Sequence, residues 1–531
     1  MNDFLKTRDG KPFFAAGLQS HNSSTGTCLI EKTMDAIALY HGNTMEAPVY
    51  WFMLEPEEDR YDMTLVKGLI DQARSRGLHL IILWFGANKN GHPNYAPEYI
   101  KLHPETYRIA ISADGSPAPS ISPHCKELLQ RDLKAFEQFI TFLKEYDPEG
   151  TVLAVQIENE FGYGGTDRDY SLLAEADYQK GVPEELLGTE VEDCGTLTHD
   201  GTWTGEFGIH ANEVFSSWYT ARFVETLAKA GKEILPELTF TVNIAIGESG
   251  IEMPGFSYNA GAGVGRMLNV WKKAAPHLDL ICPDIYLSGR RVYERICGRY
   301  DRPDNALFIP ESATGGDANA MNMFLAAGKY GATGLFSFGA ESTLDENGNL
   351  LPEARKVAYS MKAIAGLAPL LIKYRGTGRI HAFVQDEFTT EEYLKLDKYH
   401  VIARFVKNNP GFHAPSMFLN LRDPANQWLL QERGRGLLIQ TGEDEFYLAG
   451  VGIGFDFRRR SDLGDPKTYV HQGSRQSTQL NFLTVEEGHF EGDTFVRDAY
   501  RNGDETNYLA YSYDGTVVRI RLNPNTGMDL V

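Results

Sequence analysis

Cysteine is sparse, with five in 531 residues (Cys28, Cys125, Cys194, Cys282, Cys297), odd in number and without CxxC spacing. That excludes a disulfide framework and a zinc knuckle as sources of stability, and reduced thiols are expected. No stretch approaches ~18 consecutive apolar residues, so no membrane-spanning helix is expected. Met1-Asn2-Asp3-Phe4-Leu5-Lys6 lacks the basic start and apolar core of a secretory signal, and the expected location is cytoplasmic. Positive charge is also short: 51 Lys+Arg against 72 Asp+Glu give a net charge of -21. Such a surface repels phosphate backbones and anionic lipid, so neither nucleic acid nor a membrane is an expected partner. HExxH and paired-histidine spacings are missing, and neither a metal nor a cofactor is expected.

At 42% hydrophobic residues the chain can bury a large core, and its length calls for two or three domains. Apolar, β-branched runs alternate with helix-period segments through about the first 370 residues, the rhythm of βα units. Eight strands are predicted, at 12–19, 47–53, 78–84, 152–158, 238–244, 278–285, 306–310 and 333–338, which suggests a (β/α)8 barrel. Before the third, Leu65, Leu69, Ile70 and Ala73 share one helical face and Gly77 supplies a left-handed stop. Before the fourth, Leu129, Leu133, Phe136, Ile140 and Leu143 are read as the buried stripe, ended by Asp147-Pro148. The acidic interval between Gly162 and His210 is too long for a bare loop and reads as a rim or lid. Beyond about Lys373 short alternating stretches at 380–384, 400–406, 437–441, 445–448 and 516–522 predict antiparallel strands, with Asp514-Gly515 as a hairpin turn. The expected domains are a catalytic barrel at 1–372 and a β-rich region at 373–531. Self-association is left open.

Two glutamates stand where buried runs stop: Glu160 after 152–159 and Glu311 after 306–310. Carboxylates do not belong inside strands covered on both faces, but at C-terminal strand ends they point into the mouth of a barrel, where such folds keep their chemistry. Lying 151 residues apart, they meet only if a closed fold brings the fourth and seventh strands to one mouth. Two carboxyl groups are what glycosidic cleavage needs, one as nucleophile and one as acid and base. Gly261-Ala262-Gly263-Val264-Gly265 and Gly450-Val451-Gly452-Ile453-Gly454 do not qualify as nucleotide loops, since neither joins a strand to a helix.

Val155-Gln156-Ile157-Glu158-Asn159-Glu160-Phe161-Gly162 resembles the strand-four motif of the clan A glycoside hydrolases, most closely the β-galactosidases of family 35 and, near them, family 42. Gly17-Leu18-Gln19-Ser20-His21-Asn22, Asn43-Thr44 and Leu83-Trp84-Phe85-Gly86 extend the similarity along the barrel. The resemblance implies that Glu160 is the acid/base, Glu311 in Pro310-Glu311-Ser312 the nucleophile, and Asn159 the partner of the sugar 2-hydroxyl. It further implies a retaining exo-β-glycosidase, foremost a β-galactosidase, acting on oligosaccharides or plant glycosides. The same chemistry on another sugar, or a barrel that binds without turnover, are the alternatives.

The remaining candidates each carry two readings. Trp84, like Trp51, is a core aromatic or a platform for a sugar face. Tyr286 hydrogen-bonds the nucleophile or packs on the rim. Asn22 and Lys89, with His21 and Asn90, read hydroxyl groups or cap local backbone. Phe338 stands where many clan members carry a tryptophan under the sugar, and Asn88 where an aromatic is expected. Glu158 is read as structural, facing the barrel wall to orient Glu160 or another polar group.

Overall fold

The computed structural model describes residues 4–26, 29–248, 250, 252–407, 424–460, 482–501 and 510–524. The chain forms two compact units, one of residues 1–37, 43–313 and 334–342, the other of 38–42, 314–333 and 343–531. Residues 343–372, which the sequence rhythm assigns to the barrel, thus group by contact with the β-rich region. No helix among the described residues is long and apolar enough to cross a membrane.

Seven parallel strands make the barrel wall: β1 (Ala15–Gln19), β2 (Thr44–Tyr50), β3 (His79–Lys89), β4 (Val152–Asn159), β5 (Thr239–Ala245), β6 (Leu280–Asp284) and β7 (Gly334–Phe338). Their order is β6-β5-β4-β3-β2-β1-β7, a curled sheet of a (β/α)8 barrel. β1, β2, β4 and β6 are buried along their whole lengths, as continuous apolar runs covered on both faces must be.

The predicted strand at 306–310 does not form a ladder. The segment lies between β6 and β7, joined by single bridges, Ile309 to Leu335 and Ile285 to Ser312. Pro310 has no N–H to give, so regular pairing stops there. Asn305 replaces part of the missing ladder: its amide accepts from the Ile281 N–H at 2.9 Å and donates to the Ile281 carbonyl at 3.0 Å. Beyond Pro310, Ile285 N–H donates to the Glu311 carbonyl at 2.9 Å and Phe338 N–H to the Ser312 carbonyl at 3.0 Å. The barrel therefore closes on the residue that carries the second candidate carboxylate.

Two helices show how far apolar period specifies a face. In α1 (Thr64–Ser75) Val66, Leu69, Ile70 and Ala73 are buried, and Gly77 beyond it takes φ +67°. In α2 (Lys126–Tyr146) the buried stripe is Leu128, Asp132, Ala135, Phe136, Phe139, Ile140 and Leu143, so Leu129 and Leu133 are only half-buried and a carboxylate occupies a core position. The interval between Gly162 and His210 is a folded rim with its own small core. It contains helices Leu172–Tyr178 and Trp203–Phe207, buried Trp203 and Phe207, and the Arg168 guanidinium 3.8 Å from the Tyr170 ring centre and 4.3 Å from that of Tyr178.

The second unit contains a β-sandwich. One sheet pairs β8 (Ile380–Val384), β11 (Arg435–Gln440), β12 (Glu445–Val451), β17 (Val517–Leu522), β14 (Phe482–Glu491) and β15 (Thr494–Tyr500) in that order. The other pairs β9 (Glu391–Lys395), β10 (Tyr399–Phe405), β13 (Ile453–Arg459) and β16 (Ala510–Ser512). Phe383, Leu438, Phe446 and Ile520 from the first sheet and Val401, Phe405, Phe455 and Phe457 from the second form one core. The expected Asp514-Gly515 hairpin is absent from the described residues, because β16 and β17 belong to different sheets. Asp514 instead bonds Thr516 Oγ1 at 2.7 Å within an arch that carries the chain from one sheet to the other. Residues 508 and 509 of the predicted first hairpin strand lie outside the described residues.

Asn305→Ala should strand both the N–H and the carbonyl of buried Ile281, costing about 2–4 kcal/mol. Chemical denaturation of the purified protein measures it; a loss below about 1 kcal/mol would remove Asn305 from the closure.

Candidate active site

Glu160 follows β4, Asp284 ends β6 and Glu311 ends the closing segment, and one carboxylate oxygen from each lies within 4.8 Å of the others. The two glutamates expected at one mouth are therefore together, with a third carboxylate between elements that the sequence reading did not single out. Glu311 accepts hydrogen bonds from Gln19 Nε2 at 3.1 Å, Asn243 Nδ2 at 3.3 Å and Tyr286 Oη at 2.8 Å.

Asn243, from β5, is the hub of the cluster. Besides Glu311, its amide donates to Asp284 Oδ2 at 2.8 Å and to Asn159 Oδ1 at 3.1 Å, and its own oxygen accepts the Glu160 N–H at 3.0 Å. One side chain thus ties together both glutamates, Asp284 and Asn159. The Glu160 carbonyl accepts from Asn259 Nδ2 at 2.6 Å, which fixes the residue from its other end. Glu160 takes φ +44° and Glu158 φ +58°, a conformation that L residues adopt only when their surroundings impose it.

Burial, followed by the negative charge of Glu311, pushes the Glu160 carboxyl up to about 7, and the Lys89 ammonium opposes this. Asp284 is raised well above the carboxylate range by burial, then by the charges of Glu311 and Glu160. Glu46 on β2, fully buried with both oxygens lacking a protein partner, is raised by burial and by Glu311. Lys89 is lowered by burial, with the surrounding carboxylates resisting. Glu311, with three donors aimed at it, thus stands among carboxyls whose burial and mutual repulsion favour their protonated forms.

Of the other expected site residues, Asn159 donates to Asn90 Oδ1 at 2.9 Å, and Lys89 Nζ donates to the same oxygen at 2.7 Å. Both stand in the network with the carboxylates. Tyr286 is there too, half-exposed with its hydroxyl on Glu311. Phe338 ends β7 at the rim, half-buried, with its ring edge-on to His21 at 5.3 Å. Asn22 touches none of the carboxylates by any described contact; its backbone carbonyl accepts from Tyr95 Oη at 3.5 Å.

Trp84 is a correction. It is 0% exposed, stacks on Phe139 at 5.5 Å and gives its indole N–H to Asp132 at 2.9 Å, so it faces the helical layer and offers no surface to a sugar. Trp51 is likewise enclosed, bonded to Glu55 at 2.8 Å. Asn243 and Asp284 are cluster positions that the sequence reading missed, and Gln19 was quoted within the 17–22 stretch without a role. Each is a polar residue within or ending an apolar strand, the same signal that marked Glu160.

Residues 27–192 match the glycoside hydrolase family 42 model, described as Beta-galactosidase, and residues 357–511 match a domain of unknown function, DUF5597. A catalytic mutant of a family 42 β-galactosidase from G. stearothermophilus is 15% identical with a TM-score of 0.49, the match covering 68% of this chain and 57% of that one. A β-galactosidase from Bacillus circulans sp. alkalophilus is 14% identical with a TM-score of 0.49, covering 69% and 57%. The β-amylase catalytic domain of Paenibacillus polymyxa is 12% identical with a TM-score of 0.49, covering 67% and 97%. The chain thus spans 57% of the length of either β-galactosidase. No curated protein matches. The family model that matches within the barrel is that of family 42, and the expected placement in family 35 is not supported.

Carbon-13 NMR of glutamate-labelled protein should show a Glu160 carboxyl titrating at about 7. Glu311→Gln should shift it down, because that substitution removes the neighbouring charge; an unmoved titration would leave burial as the only cause.

Proposed function

We propose that the chain is a retaining exo-β-galactosidase with Glu311 as nucleophile and Glu160 as acid/base, acting on a terminal sugar of an oligosaccharide or small glycoside, without nucleic acid or membrane as partner. The observation that carries this reading is the approach of Glu160 and Glu311 oxygens to within 4.8 Å. Retaining enzymes hold the two carboxyls about 5–5.5 Å apart, whereas inverting ones leave about 6.5–9.5 Å for a water.

In the first step the Glu311 carboxylate attacks the anomeric carbon while protonated Glu160 gives its proton to the glycosidic oxygen, and the aglycone leaves. The ester on Glu311 carries no charge, so the repulsion that kept Glu160 protonated is gone. Glu160 then takes a proton from a water, whose oxygen attacks the anomeric carbon and frees Glu311 as carboxylate. Tyr286 and Gln19 donate to the nucleophile before and after, and Asn159 is the partner of the sugar 2-hydroxyl that the family resemblance implies. Galactose is favoured over other sugars by the family 42 match alone.

On a panel of nitrophenyl glycosides the β-galactoside should be cleaved fastest, and a consistent preference for another sugar would reassign specificity but keep the chemistry. Glu311→Ala should reduce turnover by at least about 10⁴-fold. Azide should then restore part of it with inverted product; rescue with retention would overturn the role of Glu311. Glu160→Ala should slow substrates with poor leaving groups far more than activated aryl glycosides, and equal losses on both would show that Glu160 is not the acid.

A further inference from the structure

β3 and β4 pair in one register from Ile81 with Ala154 as far as Trp84 with Ile157, and pairing resumes only at Lys89 with Asn159. Residues 85–88 of β3 therefore bulge opposite Glu158 alone, and the N–H groups of Ala87 and Asn88 have no ladder partner. Buried N–H groups require acceptors. Glu158 supplies them, Oε1 taking the Ala87 N–H at 3.0 Å and Oε2 the Asn88 N–H at 2.7 Å.

Asp132 reaches the same place from α2. Its oxygens accept from Trp84 Nε1 at 2.9 Å and from the Ala87 N–H at 3.2 Å, the same N–H that Glu158 Oε1 takes, so the two carboxyls meet at one donor. Both side chains are 0% exposed. A Cβ on Gly86 would lie 2.8 Å from Glu158 Oε1, 2.9 Å from Asp132 Oδ1 and 2.4 Å from Trp84 Nε1, so only glycine leaves this junction open. Two bare carboxylates cannot share it, because like charges in a buried site repel and no ion pair among the described residues brings a cation to either. Arg131, the neighbour of Asp132 in α2, is committed to Glu55 and Asp59. The Glu55 charge is the other one felt by Asp132, and it too opposes ionisation. On α2, Phe136 and Phe139 pack on the Trp84 ring whose N–H Asp132 accepts, and both are apolar.

We propose that Asp132 and Glu158 hold a single proton between them and act as positioning residues, clamping the β3 bulge so that Lys89 and Asn90 stand beside Asn159 and Glu160 at the mouth. The link is direct: the Asn90 N–H donates to the Asn159 carbonyl at 2.9 Å, and the Asn90 side chain receives both Asn159 and Lys89. The effect on turnover rests on the glycosidase reading, whereas the shared proton does not.

An amide can stand in for the protonated member of such a pair: at 158 its oxygen keeps the Asn88 N–H and its NH2 faces Asp132, which retains the Ala87 N–H. Glu158→Gln should therefore keep kcat within about threefold of wild type, whereas Glu158→Ala should lower it about 100-fold with a smaller change in KM, as misplacement of site residues does. A carboxyl raised in the folded state contributes stability that is lost as pH rises, so the Tm of Glu158→Gln relative to wild type should climb between about pH 5 and about pH 8. If Glu158→Ala does not fold, Asp132→Asn carries the same two readouts. A Tm difference that stays flat with pH, or a Gln variant as impaired as Ala, would overturn the clamp. A wild type inactive on every glycoside would sink the glycosidase reading and leave the Tm arm intact.

Discussion

Carboxyl groups held within 4.8 Å of one another in a buried site cannot all be charged, and the distribution of protons at the barrel mouth follows from that constraint. Hydrogen-bond donors converge on one of them. Glu311 has Gln19, Asn243 and Tyr286 aimed at it, whereas Glu160 and Asp284 have fewer donors and lie within the field of Glu311. In the proposed reaction the difference between nucleophile and acid is thus produced by surroundings, since both residues are glutamates. The same crowding makes the difference reversible: neutralising Glu311 as an ester lowers the tendency of Glu160 to hold a proton, which is what the second half of the proposed reaction requires.

Holding such a cluster demands rigid backbone, and the fold supplies it from several strand ends at once. Asn243 on β5 reaches three other elements with one amide group, and the closing segment delivers Glu311 through hydrogen bonds on both sides of Pro310. A regular eighth ladder would have alternated the segment's side chains and constrained Glu311 to the pleat. The broken pairing leaves its carboxylate free to follow its donors.

Much of this was legible in the sequence. The predicted barrel strands other than 306–310 are found, and Glu160 and Glu311 were identified because a charged residue ending an apolar run contradicts burial. Strand prediction at 306–310 failed because hydrophobicity reports where a segment lies, and hydrogen bonding there depends on a proline and on Asn305 standing in for backbone. Trp84 was ambiguous because alternation assigns a face only in regular strand, and the bulge beginning at Phe85 disrupts that regularity at its side. The Asp514-Gly515 turn has hairpin chemistry, but which strands it joins is set by the sandwich core, to which β16 and β17 contribute from opposite sheets.

Asp132 shows why some functional positions stay hidden until both partners are seen. In α2 the sequence pattern could be fitted by moving the stripe to Leu129 and Leu133, which avoids burying an acid. The structure accepts the acid because β4 offers Glu158 opposite it and β3 offers an indole N–H and a backbone N–H. Each carboxyl alone would be an uncompensated burial, and each is explained by the other. A polar gap in an amphipathic helix and an acidic residue inside a strand are separately anomalies, costing stability wherever they stand unpaired. When a packed helix and strand bring them together, the pair satisfies the backbone of a bulge that no ladder could satisfy, and the bulge is what sets Lys89 and Asn90 at the mouth.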